Sequence, residues 1–173
     1  MKRRITLTLL GIVLASSAVG CGTTTNGSPS ASSTTAAPAL FDPCTEVPDD
    51  ALRAAGVDPA TKEAGIAGVH QVGLEVCKWR GPAYAISLYS TGKPVSEFET
   101  KPGNIGFQDV TIAGRQGREF RAEGWETQCN AVFPAAQGAL QVQILGRMSV
   151  DNPEDPCSVL ARVGEKIVPI LPK

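Results

Sequence analysis

Residues 139–145 read Ala-Leu-Gln-Val-Gln-Ile-Leu, and in the middle of this stretch aliphatic side chains alternate with glutamines. Successive side chains of a β-strand point to opposite faces of its sheet, so the alternation predicts a strand with one buried and one exposed face. Residues 128–133 precede it, separated by the turn-forming stretch Pro-Ala-Ala-Gln-Gly. The two segments together predict an antiparallel hairpin.

Two further hairpins are predicted upstream of this one. Residues 74–80 and 83–89 flank Gly81-Pro82, and Cys77 and Trp79 are two apart, so they should share the buried face. Residues 110–112 and 118–121 flank a third turn at Gly114–Gly117. These segments predict an antiparallel sheet of about five to six strands.

Helix signals lie at both ends of the strand-rich region. Residues 47–56 have acids at the front and a glycine at the end, so Asp49 and Asp50 are expected to cap a short N-terminal helix. Ser96–Glu99 has the form of a capping box for a second short helix. Asp155-Pro156 starts a C-terminal helix with an apolar stripe at Leu160, Val163 and Ile167. The expected fold class is α+β, with the terminal helices packed on one face of the sheet.

The first 20 residues predict an export signal, since Lys2-Arg3-Arg4 precede a mostly apolar run over residues 5–15. That run has about half of the roughly 20 residues that a bilayer-spanning helix needs. Ala18-Val19-Gly20-Cys21 resembles the lipobox of bacterial lipoprotein precursors, although Ala18 stands where leucine is preferred. We expect a signal peptide over residues 1–20 and lipidation of Cys21. The alternative is an ordinary secretory signal that leaves Cys21 as a free thiol.

The number of cysteines supports lipidation. The chain has five, and an odd thiol in an exported protein needs an explanation, which lipid on Cys21 supplies. Four cysteines then remain for disulfides: Cys44, Cys77, Cys129 and Cys157. They allow three connectivities, of which we favour the sequential one because each bond would then tie a helix to the nearby sheet. A four-cysteine zinc site needs close C-x₂₋₄-C pairs, and the chain has none.

The segment after Cys21 is an uncharged spacer. Residues 22–38 contain only Thr, Ser, Ala, Gly, Asn and Pro, so residues 21–39 are expected to be a disordered linker that suits either a bare spacer or O-glycosylation. Seventeen residues of coil have an r.m.s. span of roughly 20–25 Å. Residues 40–173 are expected to form a single globular domain.

Charge restricts the partners. Without Lys2, Arg3 and Arg4, 13 of the 16 cationic residues remain against 17 acids, a net charge of −4. Proteins that bind nucleic acid are usually basic, so a nucleic-acid partner is not expected. The expected partners are the membrane, through the lipid anchor, and an envelope protein, glycan or lipid.

No motif for catalysis, a cofactor or a metal is present in the sequence, and none of the three is expected. The only histidine, His70, lies in a glycine-rich stretch predicted to be an exposed loop. The densest charged region mixes arginines with glutamates: Arg115, Arg118, Arg121, Glu119, Glu123 and Glu126. A carboxylate pair within residues 119–126 could serve a hydrolase, and the alternative is a solvated strand face. We favour the solvated face.

A binding surface is the more plausible use of this region. Trp125 lies among glutamates and glycine and is the better candidate for an exposed binding aromatic, whereas Trp79 is expected in the core. Together with Arg115, Arg118 and Arg121, Trp125 forms the predicted binding surface.

Several short motifs resemble one family. Phe41-Asp42-Pro43-Cys44, Cys77-Lys78-Trp79, Cys129 and Asp155-Pro156-Cys157 are similar to the actinobacterial, mycobacterial-type lipoproteins that carry the domain of unknown function 3558. The resemblance implies a lipoprotein on the extracytoplasmic face of the cell membrane, with no assigned activity and no catalytic residues to carry over. We expect a non-enzymatic binding or assembly module, and the alternative is an envelope hydrolase using residues 119–126.

Overall fold

The computed structural model describes residues 39–151 and 153–173. The predicted signal peptide, Cys21 and the linker up to residue 38 lie outside this part of the chain. In chain order the elements are α1 (Pro43–Glu46), α2 (Asp49–Ala54), β1 (Asp58–Ala64), β2 (Leu74–Arg80), β3 (Tyr84–Thr91), α3 (Val95–Thr100), β4 (Asn104–Ile112), β5 (Arg115–Ala122), β6 (Gln128–Ala135), β7 (Gly138–Gly146), α4 (Pro156–Ile167) and a 3₁₀ turn (Val168–Ile170).

The strands form one antiparallel sheet in the order β1-β2-β3-β7-β6-β5-β4. The predicted count of five to six strands is wrong, because β1 adds a seventh at one edge. Its sequence, Asp-Pro-Ala-Thr-Lys-Glu-Ala, has no apolar alternation, since its side chains are only half-buried or exposed. It pairs with β2 alone. Backbone pairing therefore determines that these residues form a strand, and no buried hydrophobic face contributes.

The other edge strand, β4, is longer than the predicted residues 110–112. Its pairing with β5 is irregular between Ile105 and Gln108, and Gly106 has a φ of +69° within this irregularity. Glycine adopts that conformation readily, and a β-bulge breaks the alternation of side chains. Because of the bulge, the first half of β4 shows no regular alternation of apolar and polar residues, and the sequence pattern did not predict it as a strand.

One face of the sheet packs against α1, α2 and α4 and holds the main hydrophobic core. The predicted alternation in β7, the shared face of Cys77 and Trp79, and the apolar stripe of α4 are confirmed. Each large aliphatic or aromatic side chain buried here contributes about 1.5–3 kcal/mol to folding. Deeply buried members include Leu52, Cys77, Trp79, Ile86, Leu88, Phe133, Leu140, Val142, Ile144, Leu160, Val163 and Ile167.

The opposite face is partly covered by α3. Val95 and Phe98 pack near Phe120 and Val132, and the ring of Phe107 stacks on Phe120 with 4.8 Å between centroids. Beside this cluster the Oδ1 atom of the buried Asn130 accepts hydrogen bonds from three glutamine Nε2 atoms. These belong to Gln128 (3.2 Å), Gln141 (2.8 Å) and Gln143 (3.1 Å).

Two predicted helix starts are wrong in detail. α3 begins at Val95 behind Pro94, whose extended backbone ends the preceding loop, so Ser96 lies inside the helix and caps nothing. Pro48 likewise occupies the N-cap of α2. Asp49 and Asp50 lie in the first turn, where negative charge is favoured by the helix dipole. Asp49 also pairs with Arg53 four residues on.

Candidate functional site

The two disulfides are Cys44–Cys77 and Cys129–Cys157, which is the sequential pairing. The first joins α1 to β2, and the second joins β6 to the first turn of α4. The paired cysteines are 33 and 28 positions apart in the sequence, so each disulfide contributes roughly 3–4 kcal/mol in the chain-entropy description. The Glu119 carboxylate lies within 4.8 Å of the second pair of sulfurs. Because those sulfurs are bonded to each other, they are not thiolate ligands, and the cluster does not form a metal site.

The three arginines of the predicted binding surface do not come together. Arg118 lies on the α3 face of β5 and pairs with Glu99, at 2.7 Å, and with Asp109. Arg115 and Arg121 point to the α4 face, six residues apart on the strand and hence about 20 Å from each other.

Arg115 has a structural environment. Its guanidinium donates to the carbonyls of Leu171 and Pro134 and lies 5.5 Å from the ring centroid of Phe133. Burial lowers the pKa of Arg115. These contacts fasten the C-terminal segment to the sheet and leave little of the side chain for a ligand.

The Glu119–Glu126 region does not assemble an acid–base pair. Glu119 is only 9% exposed and accepts a 2.6 Å hydrogen bond from Gln108. It lines a cavity of about 420 Å³ together with Arg121 and Asp155, whereas Glu123 and Glu126 lie outside the lining. The second carboxylate of the cavity is therefore Asp155, from the start of α4.

Asp155 is fully engaged. Its Oδ1 accepts from the backbone N–H groups of Cys157 and Ser158, both at 3.0 Å, and its Oδ2 accepts from Arg121 at 2.7 Å. Burial favours the protonated form, but the hydrogen bonds and the charge of Arg121 outweigh it and hold the pKa of Asp155 below its usual value. A carboxylate that stays charged and has both oxygens occupied is a helix cap, and it is a poor proton donor.

Trp125 is exposed, as predicted, with 57% of its surface accessible. It lies in the β5–β6 connection, where its backbone N–H donates to the Ala122 carbonyl and its backbone carbonyl accepts from the Gln128 N–H. These bonds order the backbone of the connection at Trp125. It lines neither of the two principal cavities.

The larger cavity, of about 660 Å³, was not predicted from the sequence. It lies where the α2–β1 turn meets the β2–β3 turn and the end of β7. We call it the arginine groove, because Arg53, Arg80 and Arg147 line it around the backbone of Gly56–Thr61 and Gly81–Pro82. Asp58 is the one acid in the lining.

Two glycines allow the turns behind the groove to approach each other. A Cβ atom on Gly81 would lie 2.3 Å from the carbonyl oxygen of Gly56. Gly56 has a φ of +79°, and its Cβ would lie 2.5 Å from the Tyr84 hydroxyl. That hydroxyl is buried and donates to the carbonyl of Ala55 at 2.8 Å. The floor of the groove is therefore closely packed and fixed.

The three guanidinium groups differ in how they are neutralised. Arg53 pairs with Asp49 on the surface, and Arg80 pairs with Glu63. Arg147 donates to the Gly81 carbonyl at 3.1 Å, and within residues 39–151 and 153–173 no carboxylate lies within ion-pair distance of it. A guanidinium presents five N–H donors in a planar fork that matches carboxylate and phosphate oxygens. Arg147 is thus the residue best placed to receive an anion.

A family model described as "Protein of unknown function (DUF3558)" matches residues 17–169. The chain belongs to this family. No curated protein and no solved structure matches it. In the part of this DUF3558 protein that the structure describes, no helix is both long and apolar enough to cross a bilayer.

The DUF3558 domain also displays an apolar loop, Gly65–Gly73, between β1 and β2. Ile66, Val69 and Val72 are 50%, 59% and 100% exposed. The loop includes His70, predicted to be exposed, which is 66% exposed in its side chain and lies 3.7 Å from Glu75. No element of the described chain covers these aliphatic side chains.

Proposed function

We propose that the protein is a lipoprotein of the actinobacterial cell envelope whose domain is a non-enzymatic module that binds an anionic ligand in the arginine groove. The groove is the observation that carries the proposal. It combines three guanidinium groups with a rigid floor, and its described lining contains no serine, cysteine, histidine or glutamate. Such a lining can recognise charge and shape, and it offers no nucleophile–base pair.

The polar groups of the lining other than the arginines are already in use. The Asp58 Oδ1 atom accepts the N–H of Ala60 at 2.9 Å. The Thr61 hydroxyl donates to the Asp58 carbonyl at 2.6 Å and accepts from the Arg80 N–H at 2.8 Å. The donors left for a ligand are therefore mainly the guanidinium N–H groups, and an acceptor-only group such as carboxylate or phosphate complements them.

Overall charge makes the groove selective. A chain of net charge −4 after removal of the signal peptide repels anions over most of its surface. Arg53 and Arg80 are paired with carboxylates outside the lining, so the positive charge of the groove comes mainly from Arg147, which has no ion-pair partner among the described residues. A cavity of about 660 Å³ is also within the roughly 300–1,000 Å³ typical of small-molecule sites. The ligand class is an organic carboxylate or phosphate, or the anionic head of a larger envelope component.

Two observations support localisation to the cell envelope. Residues 1–20 have the layout of a signal peptide, and the number of cysteines is odd. Disulfides use four of the five cysteines, and Cys21 is the one left over. Disulfides persist on the oxidising side of a membrane. Residues 21–39 then form the lipidated linker, and residues 40–173 form the domain displayed outside the cytoplasmic membrane.

The binding proposal is tested by calorimetric titration of the full mature chain with inorganic phosphate and with citrate. Loss of one charge-assisted interaction costs about 1.5–3 kcal/mol, so Arg147→Ala should weaken anion binding about tenfold or more. Arg147→Lys keeps the charge without the planar fork and should lie between wild type and Arg147→Ala. Lys166→Ala, which removes an exposed cation on α4 outside the groove, is the matched control. Equal binding by Arg147→Ala and wild type, or equal loss in Lys166→Ala, would exclude the groove.

The anchor is tested separately by growing cells with labelled palmitate. The wild-type chain should incorporate label into the membrane fraction, and Cys21→Ser should incorporate none. Label that persists in Cys21→Ser would refute lipidation at this residue. Because anion binding is measured on purified protein, the two parts of the proposal fail independently.

A further inference from the structure

We infer that the apolar loop, Gly65–Gly73, is a second membrane contact, in which Ile66, Val69 and Val72 enter the interfacial layer of the bilayer. The inference rests on the proposed lipid anchor, because the anchor would keep the domain close to the membrane. It concerns a different surface from the arginine groove.

The composition of the loop suits entry into lipid. Its three aliphatic side chains are at least half exposed, and Val72 is completely exposed. Residues 65–73 include no Asp, Glu, Lys or Arg, so inserting the tip strips water from no residue of fixed charge. Concentrated exposed apolar surface of this kind marks interaction sites on otherwise soluble domains.

The backbone of the loop is also prepared for a less polar environment. Ile66 and Val69 exchange two N–H to carbonyl hydrogen bonds, at 2.9 and 3.0 Å. Ala67 and Gly68, with φ values of +52° and +80°, make the tight turn between them. Further along the loop, Leu74 donates to the Gln71 carbonyl at 3.2 Å. Unpaired backbone groups are costly in lipid, and these bonds remove part of that cost.

Proximity favours a bilayer over a protein partner. A flexible linker of the length proposed here spans roughly 20–25 Å, and a domain of 134 residues has a radius of gyration of about 14 Å. Each side of a domain tethered in this way can reach the bilayer, and tethering raises the effective concentration of the membrane so that a weak contact becomes populated. A neutral aliphatic tip offers no charge to specify a protein partner, whereas a bilayer requires none.

The test uses the full mature chain with Cys21→Ser, so that no acyl chain contributes, and adds Val72→Trp as a fluorescent probe. Addition of zwitterionic phosphatidylcholine vesicles should shift the emission of the new tryptophan to the blue and protect it from acrylamide. The response should be similar with phosphatidylglycerol vesicles and at high salt, because the contact is uncharged. Trp79 and Trp125 also emit, and their contribution is measured on the Cys21→Ser chain that lacks Val72→Trp.

Two further variants complete the test. Met148→Trp places the same probe on another exposed apolar residue, 89% accessible, at the opposite end of the sheet, and its emission should not change. Val69→Asp combined with Val72→Asp should lower partition into vesicles about tenfold or more while leaving the thermal midpoint unchanged, because both side chains are exposed. No shift in Val72→Trp, the same shift in Met148→Trp, or a shift only with vesicles that contain membrane protein would overturn the inference. A wild-type chain that incorporates no labelled palmitate, together with an intact Val72→Trp response, would instead refute the anchor alone.

Discussion

Gly164 lies within α4 at the place where the helix crosses Ile112 of β4. A Cβ atom there would lie 2.6 Å from Cγ2 and 3.2 Å from Cδ1 of Ile112, a side chain that is itself buried. Alanine is favoured over glycine inside a helix by about 1 kcal/mol. Overpacking a closely packed core costs about 1–3 kcal/mol. With a contact as short as 2.6 Å the upper part of that range applies, so Gly164→Ala should destabilise the domain by about 1–2 kcal/mol.

A double-mutant cycle isolates the contact. Ile112→Ala alone should cost about 2–5 kcal/mol through lost burial and a residual cavity. In that background the methyl group of Gly164→Ala enters the vacated space, so only the helix-propensity gain of about 1 kcal/mol remains. The same substitution thus changes sign, and the coupling energy should be about 2–3 kcal/mol.

Urea unfolding followed by tryptophan fluorescence measures all four free energies, because Trp79 is buried in the same core. Exposed Trp125 adds a signal that should change less on unfolding. Effects of the two substitutions that add within about 0.5 kcal/mol would refute the packing argument.

Three other substitutions test the remaining structural claims. Asp155→Ala should cost about 1 kcal/mol at pH 7 by removing the cap of α4. Since the folded pKa of Asp155 lies below 3.8, its contribution is present above that pH and is lost on further acidification, so urea midpoints of variant and wild type should converge below about pH 4. Cys129→Ala with Cys157→Ala should lower the free energy of unfolding by roughly 3–4 kcal/mol, and an unchanged value would contradict the cross-link's role. Asn130→Leu leaves three glutamine amides without their acceptor and should cost about 1–3 kcal/mol in the same assay; a neutral result would show that water replaces the acceptor.

Sequence patterns predicted the parts of the fold that one buried face specifies. Leu140, Val142 and Ile144 alternate because β7 lies in the centre of the sheet with one side on the core. The stripe on α4 follows the same logic with a helical period. β1 has neither property, because an edge strand is held by backbone pairing with one neighbour, which leaves no trace in side-chain hydrophobicity.

The site was harder to predict for a topological reason. Arg53, Arg80 and Arg147 are far apart in the chain and meet only because β7 pairs with β3, which places the Arg147 N–H on the Ala83 carbonyl at 2.9 Å. The sequence does contain an indication that Arg118 is separated from Arg115 and Arg121, because residues three apart on one strand face opposite sides of the sheet. That signal requires knowing that residues 115–122 form a single strand.

The order of the disulfides has a consequence for biogenesis. Each bond joins cysteines that are neighbours in the chain, Cys44 to Cys77 and then Cys129 to Cys157. A chain that crosses a membrane with its N-terminus first presents the first pair to an oxidant before the second pair emerges. With the Cys21 thiol blocked by the proposed lipid, joining the other thiols in order of appearance yields the native bonds directly, with no exchange of partners through mixed disulfides. If the chain is exported as proposed, its maturation requires a thiol oxidase and no disulfide isomerase.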